Sequence, residues 1–404
     1  MQDLQYAING ARVKLKNLIN DILNDKTLLH NKDDVALDAF ITLINRFLQN
    51  NVKDQQNTRA QVLLDYATER LHEQVYSSVP SYIRVMHQVA SMCLALEALD
   101  TSDQAAGVIE AIRGIDTTIL ISGVPYKSNL VKELVVDLQQ ALPVDSGIDL
   151  NETIQPTIPR PIPYNAILDI PRILSPSITQ FMKILSNGTP ALITNVINDW
   201  PALSTRRFTL EYLMKTMGCH RIVPVEIGSS YDDAGWTQKL VTVSEFFKHL
   251  NNESEKWYLA QHDLFSQFPI LTQDILTPDY CYAAGRDEDV KVNAWFGPQD
   301  TVSPAHTDPH DNLLAQVVGY KRVLLVPASE RGCVYPHSAE TMLSNTAQVD
   351  LEQPDFEAFP LSKELTCWEG VLEPGDLLFI PVGWWHHLRS LSVSLSNTYC
   401  SSNL

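Results

Sequence analysis

The chain has 404 residues, 45% of them hydrophobic and 19% charged, so sizeable cores can be buried and wholesale disorder is excluded. At roughly 150 residues per domain, two or three domains are expected. Lys and Arg total 30 against 48 Asp and Glu, a formal net charge of −18 that repels a phosphate backbone and favours a basic protein segment over naked nucleic acid as partner.

Residues 1–142 carry helical periodicity. Leu4, Ile8, Ala11, Leu15, Leu18 and Ile22 recur at three- and four-residue steps on one stripe. Further stripes follow at Leu37, Phe40, Ile44, Phe47, at Ala60, Leu63, Leu64, Ala67, Leu71, Val75, and at Ile83, Met86, Ala90, Cys93, Leu94. Asp103 is placed to cap a helix through Ile112, and Ser128 one through Leu142. A helical bundle or short solenoid is predicted.

Residues 143–165 break the pattern. Pro143, Pro156, Pro159, Pro161 and Pro163 remove backbone donors and predict an extended linker laid along the next domain. From 166 to 404, helical patches remain at Ser177–Leu185, Leu210–Met217 and Val243–Leu250. Strand-like runs dominate: Ala191–Asn195, Arg221–Ile227, Trp257–Gln261, Val290–Phe296, Leu313–Val318, Lys321–Val326, Asp376–Pro381 and Leu391–Thr398. The later runs lack intervening helices, which predicts a double-sheet jelly roll of the cupin type rather than a parallel α/β sheet. The chain thus reads as α+β, an all-α region followed by a cupin-like domain.

The six cysteines (Cys93, Cys219, Cys281, Cys333, Cys367, Cys400) include no C-x-x-C pair, which counts against a disulfide framework or zinc module and fits a reducing, intracellular compartment. Met1–Arg12 has no basic stretch leading into an apolar run, and no run reaches the ~18 apolar residues of a membrane span, so neither a secretory signal nor a membrane segment is expected.

Chemistry concentrates around Ser303-Pro-Ala-His306-Thr-Asp308. Residues two apart in a strand share a side, so His306 and Asp308 can reach one ion together. A second histidine is available from His386-His387. Two imidazoles and a carboxylate leave open positions on an octahedral metal, as Fe(II) oxygenases require. Alone, H-x-D is a weak pattern, since two polar residues at a strand end read the same way. Downstream, Gly319-Tyr320 is read as a two-residue hairpin turn that sets Val318 opposite Lys321, with Asn312, Leu314 and Gln316 on the same face. A lysine entering such a core needs an anion, and apart from Asp308 that face offers no acid; a dicarboxylic co-substrate would supply the charge. An outward-pointing lysine on an edge strand is the alternative.

The stretch Asn293-Ala-Trp295-Phe296-Gly297-Pro298, then Thr301 through Pro309, then Asn312-Leu-Leu-Ala-Gln316-Val317, resembles the JmjC-domain 2-oxoglutarate oxygenases, most closely those that hydroxylate protein arginines. Tyr258-Leu-Ala-Gln261-His262, Tyr335-Pro-His337, Asn345-Thr-Ala-Gln-Val-Asp350 and Pro374-Gly375-Asp376-Leu-Leu-Phe379-Ile-Pro381 extend the match from about residue 160 to near the end. The resemblance implies a JmjC double-stranded β-helix barrel in which His306, Asp308 and His386 bind Fe(II). It also implies that Tyr258, Ser303, Asn312 and Lys321 hold the far carboxylate of 2-oxoglutarate, whose other end chelates the iron. The residue pattern by itself does not choose between His386 and His387; the resemblance favours His386. For an arginine substrate it points to Glu226 as the guanidinium partner and Trp295 as an aromatic wall, against a solvent-facing strand glutamate and a plain core tryptophan. Asp232 and Asp233 could extend an acidic rim or form an ordinary turn. The chain departs from the family pattern at Cys400-Ser401, where consecutive tryptophans are expected, and at His310-Asp311, where a glutamine-type pair is expected. His310 is a candidate extra ligand or a solvated loop residue.

The activity this implies consumes O2 and 2-oxoglutarate and hydroxylates arginine in a basic protein or peptide, with histone tails and a nuclear location suggested by the resemblance alone. The competing readings are N-methyl-lysine demethylation by the same chemistry, hydroxylation of a tRNA base, which the net charge opposes, and a non-catalytic scaffold built on the helical region. A peptidase finds no support, since no nucleophile with a local base and no H-E-x-x-H stand in the chain.

Overall fold

The computed structural model describes residues 2–25, 27–29, 34–49, 56–143, 155–228, 235–252, 254–283, 290–341 and 343–400. The chain divides into two compact units, Met1–Gly147 with Gly218–Val223, and Ile148–Met217 with Pro224–Leu404.

The first unit is helical: α1 (Gln2–Asn24), α2 (Val35–Gln49), α3 (Gln56–His72), α4 (Ser81–Ala98), α5 (Gln104–Ser122) and α6 (Ser128–Gln140). The stripes seen in the sequence are the buried faces. Ile8, Ala11, Leu15, Leu18 and Ile22 of α1 join Phe40, Ile44, Ala60, Leu63 and Ala67 in one core. Helix α4 packs against α1, α3 and α5 and is buried nearly all round, as its run of small and apolar residues permits. Asp103 caps α5, accepting from the Ala106 amide, but the helix runs ten residues past Ile112 to Ser122 and stops at Gly123 in the left-handed conformation. Two expectations are corrected. Val75 is 75% exposed because α3 ends at His72, and Ser128 is the first residue of α6, with Lys127 at the N-cap. Among the described residues the unit also holds a buried ion pair unmarked by any sequence pattern: Arg221 donates to both oxygens of Asp116 at 2.6 and 2.8 Å.

The second unit contains β1 (Ala166–Asp169), β2 (Arg172–Leu174), α7 (Ile178–Asn187), β3 (Ala191–Thr194), α8 (Leu210–Met217), β4 (Ile222–Ile227, from Pro224 on), β5 (Thr237–Thr242), α9 (Val243–His249), β6 (Trp257–His262) and α10 (Leu264–Gln267). It continues with β7 (Lys291–Gly297), β8 (Val302–His306), β9 (Asn312–Val318), β10 (Lys321–Val326), β11 (Thr366–Leu372), β12 (Leu377–Ile380), β13 (Trp385–Ser390) and β14 (Ser394–Cys400). Two sheets form, in orders β1-β11-β10-β13-β8 and β2-β3-β12-β9-β14-β7-β6-β4-β5. They face each other as a cupin jelly roll without closing into one cylinder. Every residue of β9 and β10 is buried, which explains why both strands are mostly apolar. Of the junction, residues 144–154 lie outside the described residues; beyond them, the Thr157 amide donates to the Leu391 carbonyl, and Ile162 and Tyr164 pack with Leu324, Val326 and Trp385.

The Gly319-Tyr320 hairpin is overturned. Strand β9 pairs with β12 and β14, whereas β10 pairs with β11 and β13, so the turn carries the chain from one sheet to the other. Val318 stands opposite Leu395, and Lys321 opposite Leu372 and Ser390. Gly319 (φ 68°) makes this corner possible, because a Cβ there would fall 1.9 Å from the Val393 carbonyl oxygen. The Gln316 side chain closes it from inside, donating to the carbonyls of Val318 and Gly319. Strands β1, β2, β5, β8, β11 and β13 lie outside the runs read from the sequence.

Candidate functional site

His306, Asp308 and His386 converge with their ligand atoms all within 4.8 Å of one another. Strands β8 and β13 are antiparallel neighbours with His306 directly opposite His386, and the two imidazole centroids are 4.1 Å apart. Asp308 follows the end of β8, its oxygens 3.9 Å from His306 Nε2 and 3.5 Å from His386 Nε2. In each ring Nδ1 lies on a backbone carbonyl, that of Pro304 at 2.8 Å and of Trp384 at 3.1 Å. A carbonyl only accepts, so each Nδ1 carries a proton, and Nε2, on the carboxylate side of each ring, is the atom left to take a metal. Two imidazole nitrogens and a carboxylate gathered this closely are a donor set that one divalent cation can take. Burial, with the neighbouring His386, depresses His306 to about 4, so the ring stays neutral and available as a ligand. Burial raises the Asp308 carboxyl, but His386, His306 and Asn312 outweigh it and hold the group well below the usual carboxylate range. His387 points to the other side, 3.5 Å from Glu352. His310 is exposed in the loop and stands outside the cluster, and the neighbouring Asp311 accepts from the Val382 amide.

Lys321 comes from β10 in one sheet and Tyr258 from β6 in the other, and Lys321 Nζ donates to the Tyr258 hydroxyl at 3.1 Å. Lys321 is 2% exposed, and among the described residues no carboxylate forms an ion pair with it. Burial alone pushes the ammonium down to about 7. Tyr258 is raised by its own burial and hydrogen-bonds with Ser303, itself 6% exposed on β8. Asn312 lies at the metal end, donating its amide to Asp308 Oδ2 at 3.0 Å, while its Oδ1 is buried without a hydrogen bond. A triad wanting a cation and an ammonium wanting an anion stand in the same core. These residues fit iron(II) and a dicarboxylate that reaches from it.

Glu226 stands opposite Tyr258 in the β4–β6 pairing, hence on the same sheet face. It is half-buried, and desolvation raises its carboxyl against the lowering effect of Trp236 and Gln238. The Trp295 ring lies 6.1 Å from Tyr258, half-buried rather than in the core, with its indole N–H donated to Thr398. Trp236 and Thr398 escaped the sequence reading. Trp236 Nε1 donates to Glu226 Oε2 at 3.3 Å across an intervening segment that includes Asp232 and Asp233, which lie outside the described residues. Strand alternation along Ser396-Asn397-Thr398, opposite Trp295, was the available signal for Thr398. Ser401 also lies outside the described residues, and nothing is described of the Cys400 side chain.

The cupin-like domain model matches residues 177–401, more than half of the chain. Lysine-specific demethylase 8 of Danio rerio is 35% identical over 354 residues, covering 84% of this chain and 86% of the relative. Jumonji C domain-containing protein 5 of Drosophila melanogaster is 36% identical over 346 residues, 83% and 84% of the two chains. Lysine-specific demethylase JMJ30 of Arabidopsis thaliana is 36% identical over 375 residues, 85% and 86%. Domain match, near full-length relatives and an assembled His-Asp-His cluster agree, and the chain belongs to the cupin-like JmjC-domain family of 2-oxoglutarate oxygenases.

Proposed function

We propose that the chain is an Fe(II)- and 2-oxoglutarate-dependent oxygenase that hydroxylates arginine side chains of protein substrates. The observation that carries the oxygenase chemistry is the pairing of the His306–Asp308–His386 cluster with a buried Lys321 that has no carboxylate partner among the described residues. His306 Nε2, His386 Nε2 and the Asp308 carboxylate would hold the iron, with Asn312 orienting that carboxylate. Lys321, Tyr258 and Ser303 would receive the far carboxylate of 2-oxoglutarate. When bound, the metal and co-substrate let O2 oxidise a C–H bond to C–OH, with succinate and CO2 as co-products. The chain's own task is then to orient the substrate side chain and keep water away.

Arginine is favoured by Glu226, a desolvated carboxylate on the Tyr258 face, and by the half-exposed Trp295 ring, because a guanidinium takes a planar carboxylate fork and an aromatic face. The second reading, N-methyl-lysine demethylation, is supported by the names of the Danio and Arabidopsis relatives. One assay separates the two. Purified protein with Fe(II), 2-oxoglutarate and arginine peptides should add the mass of one oxygen atom to arginine, whereas turnover confined to methyl-lysine peptides with formaldehyde release gives the assignment to the demethylase. Glu226→Gln should raise the peptide KM at least about tenfold with 2-oxoglutarate binding retained. The metal ligands are checked independently: His306→Ala should abolish the anaerobic Fe(II)–2-oxoglutarate charge-transfer band.

A further inference from the structure

Behind the candidate site, on the reverse face of the five-stranded sheet, lies a nearly buried ion network centred on Glu352. Its side chain is 8% exposed. Glu352 Oε1 accepts from Arg322 Nη1 at 3.1 Å, Oε2 accepts from Arg389 Nε at 2.5 Å, and His387 Nε2 lies 3.5 Å from Oε2. Arg322 also donates twice to Glu369, at 2.9 and 2.6 Å. Strand register explains why these groups gather. Along β10 and β13 the residues facing the site are Lys321, Val323 and Leu325 beside His386, Leu388 and Ser390, so Arg322, His387 and Arg389 must face the other way. Arg322 is thus the immediate back-side neighbour of Lys321, and His387 that of His386.

The segment that delivers Glu352 is itself tied to the third strand of the site. The Ala347 amide donates to the Ala305 carbonyl, the Thr307 amide donates to the Asn345 carbonyl, and Thr346 bridges His306. Residues 345–352 therefore touch β8 at one end and grip β10 and β13 at the other.

We infer that Glu352 is a positioning residue for the oxygenase centre: from the reverse face it fixes the spacing of His386 and Lys321, and with it the distance between the metal and the dicarboxylate anchor. The inference rests on the oxygenase reading proposed above. Arg322, directly opposite Arg389, also has Glu369, and Arg389 also has Asp300 at 3.6 Å, but among the described residues Glu352 is the carboxylate that bridges the two guanidinium groups and so ties β10 to β13 on this face. Relaxation of either strand moves one of the two anchors relative to the other.

The test is Glu352→Gln in the full chain, an isosteric change that removes the charge. Mn(II) affinity is read by electron paramagnetic resonance, and 2-oxoglutarate affinity by calorimetry with Mn(II) present. With the cooperative melt retained, both affinities should weaken at least about tenfold, and Glu369→Gln, which strips the other carboxylate from Arg322 without touching β13, should stay within about twofold of the unaltered chain. Unchanged affinities in Glu352→Gln overturn the inference, as does an equal loss in Glu369→Gln, since the effect would then belong to any member of the network. Should Glu352→Gln fail to fold, Arg389→Gln, at a site 25% exposed, decides the matter: weakened Mn(II) binding supports the clamp and unchanged binding overturns it. If the unaltered chain binds neither Mn(II) nor 2-oxoglutarate, the oxygenase reading itself falls, and that outcome is visible before any variant is made.

Discussion

Lys321 must leave water for the protein to fold, and the Tyr258 hydroxyl is a poor substitute for a counter-ion. The ordinary ammonium value of 10.5 falls to about 7. Between those values the unfolded chain holds the proton and the folded chain releases it, so the penalty is complete below about pH 7 and is relieved as pH rises toward 10.5. Lys321→Met should therefore stabilise the ligand-free protein by roughly 2–4 kcal/mol at or below neutral pH, with the gain fading in alkaline buffer. Chemical denaturation across pH checks the sign. In the unaltered chain, 2-oxoglutarate should bind with uptake of a proton above about pH 7 and weaken as pH rises, while Lys321→Met should bind weakly at every pH. A variant that binds the diacid as tightly as the unaltered chain would remove Lys321 from the site. At this scale the residue types could be read from the sequence, but the burial of Lys321 could not, because its acid-free face was argued from a hairpin that the two sheets do not form. The residue pattern also left the choice between His386 and His387 to the family resemblance, because adjacent strand residues differ only in which face the packing buries.

Strand pairing shows how local turn chemistry misleads. Gly319-Tyr320 between two apolar runs has the look of a hairpin, yet β9 and β10 belong to opposed sheets. A left-handed glycine serves a tight turn and a corner between sheets equally well; what differs is the partner each strand finds elsewhere, at β12 and β14 or at β11 and β13. The corner is also what brings Lys321 across from Tyr258. Gly319→Ala would set a Cβ against the Val393 carbonyl in a backbone conformation that disfavours side chains, and should cost at least about 2 kcal/mol in thermal or urea unfolding. Equal stability would mean that the corner has room to move. Amphipathic helices were easier to read. The stripe of α1 and the Asp103 cap of α5 depend on residues within a few positions of each other, whereas β1 is a four-residue strand whose partner β11 lies 200 residues further along the chain.

Across the whole molecule the excess of 48 acidic over 30 basic side chains sets the field that a substrate meets. A basic peptide should be captured faster at low ionic strength, so the peptide KM should rise several-fold between about 50 and 300 mM salt as the screening length shortens, with little change in kcat. A KM indifferent to salt would mean that recognition is confined to short-range contacts. The chain's division into parts has a similar split between local and distant causes. Proline spacing marks residues 143–165 as the break between helical and strand-rich patterns, yet Gly218–Val223, far along the chain, clusters with the helices, and Arg221 finds Asp116 there. By itself the amino-acid sequence determined what short-range physics controls: most helical stripes, the Asp103 cap, and the H-x-D spacing that sets His306 and Asp308 close together. Tertiary structure alone decided the sheet-switching corner, the placing of buried Lys321 beside Tyr258, the support of Glu226 by Trp236 and the ion network around Glu352. Each of these joins residues whose chain neighbours carry no trace of the contact, because its energy exists only once distant strands have packed.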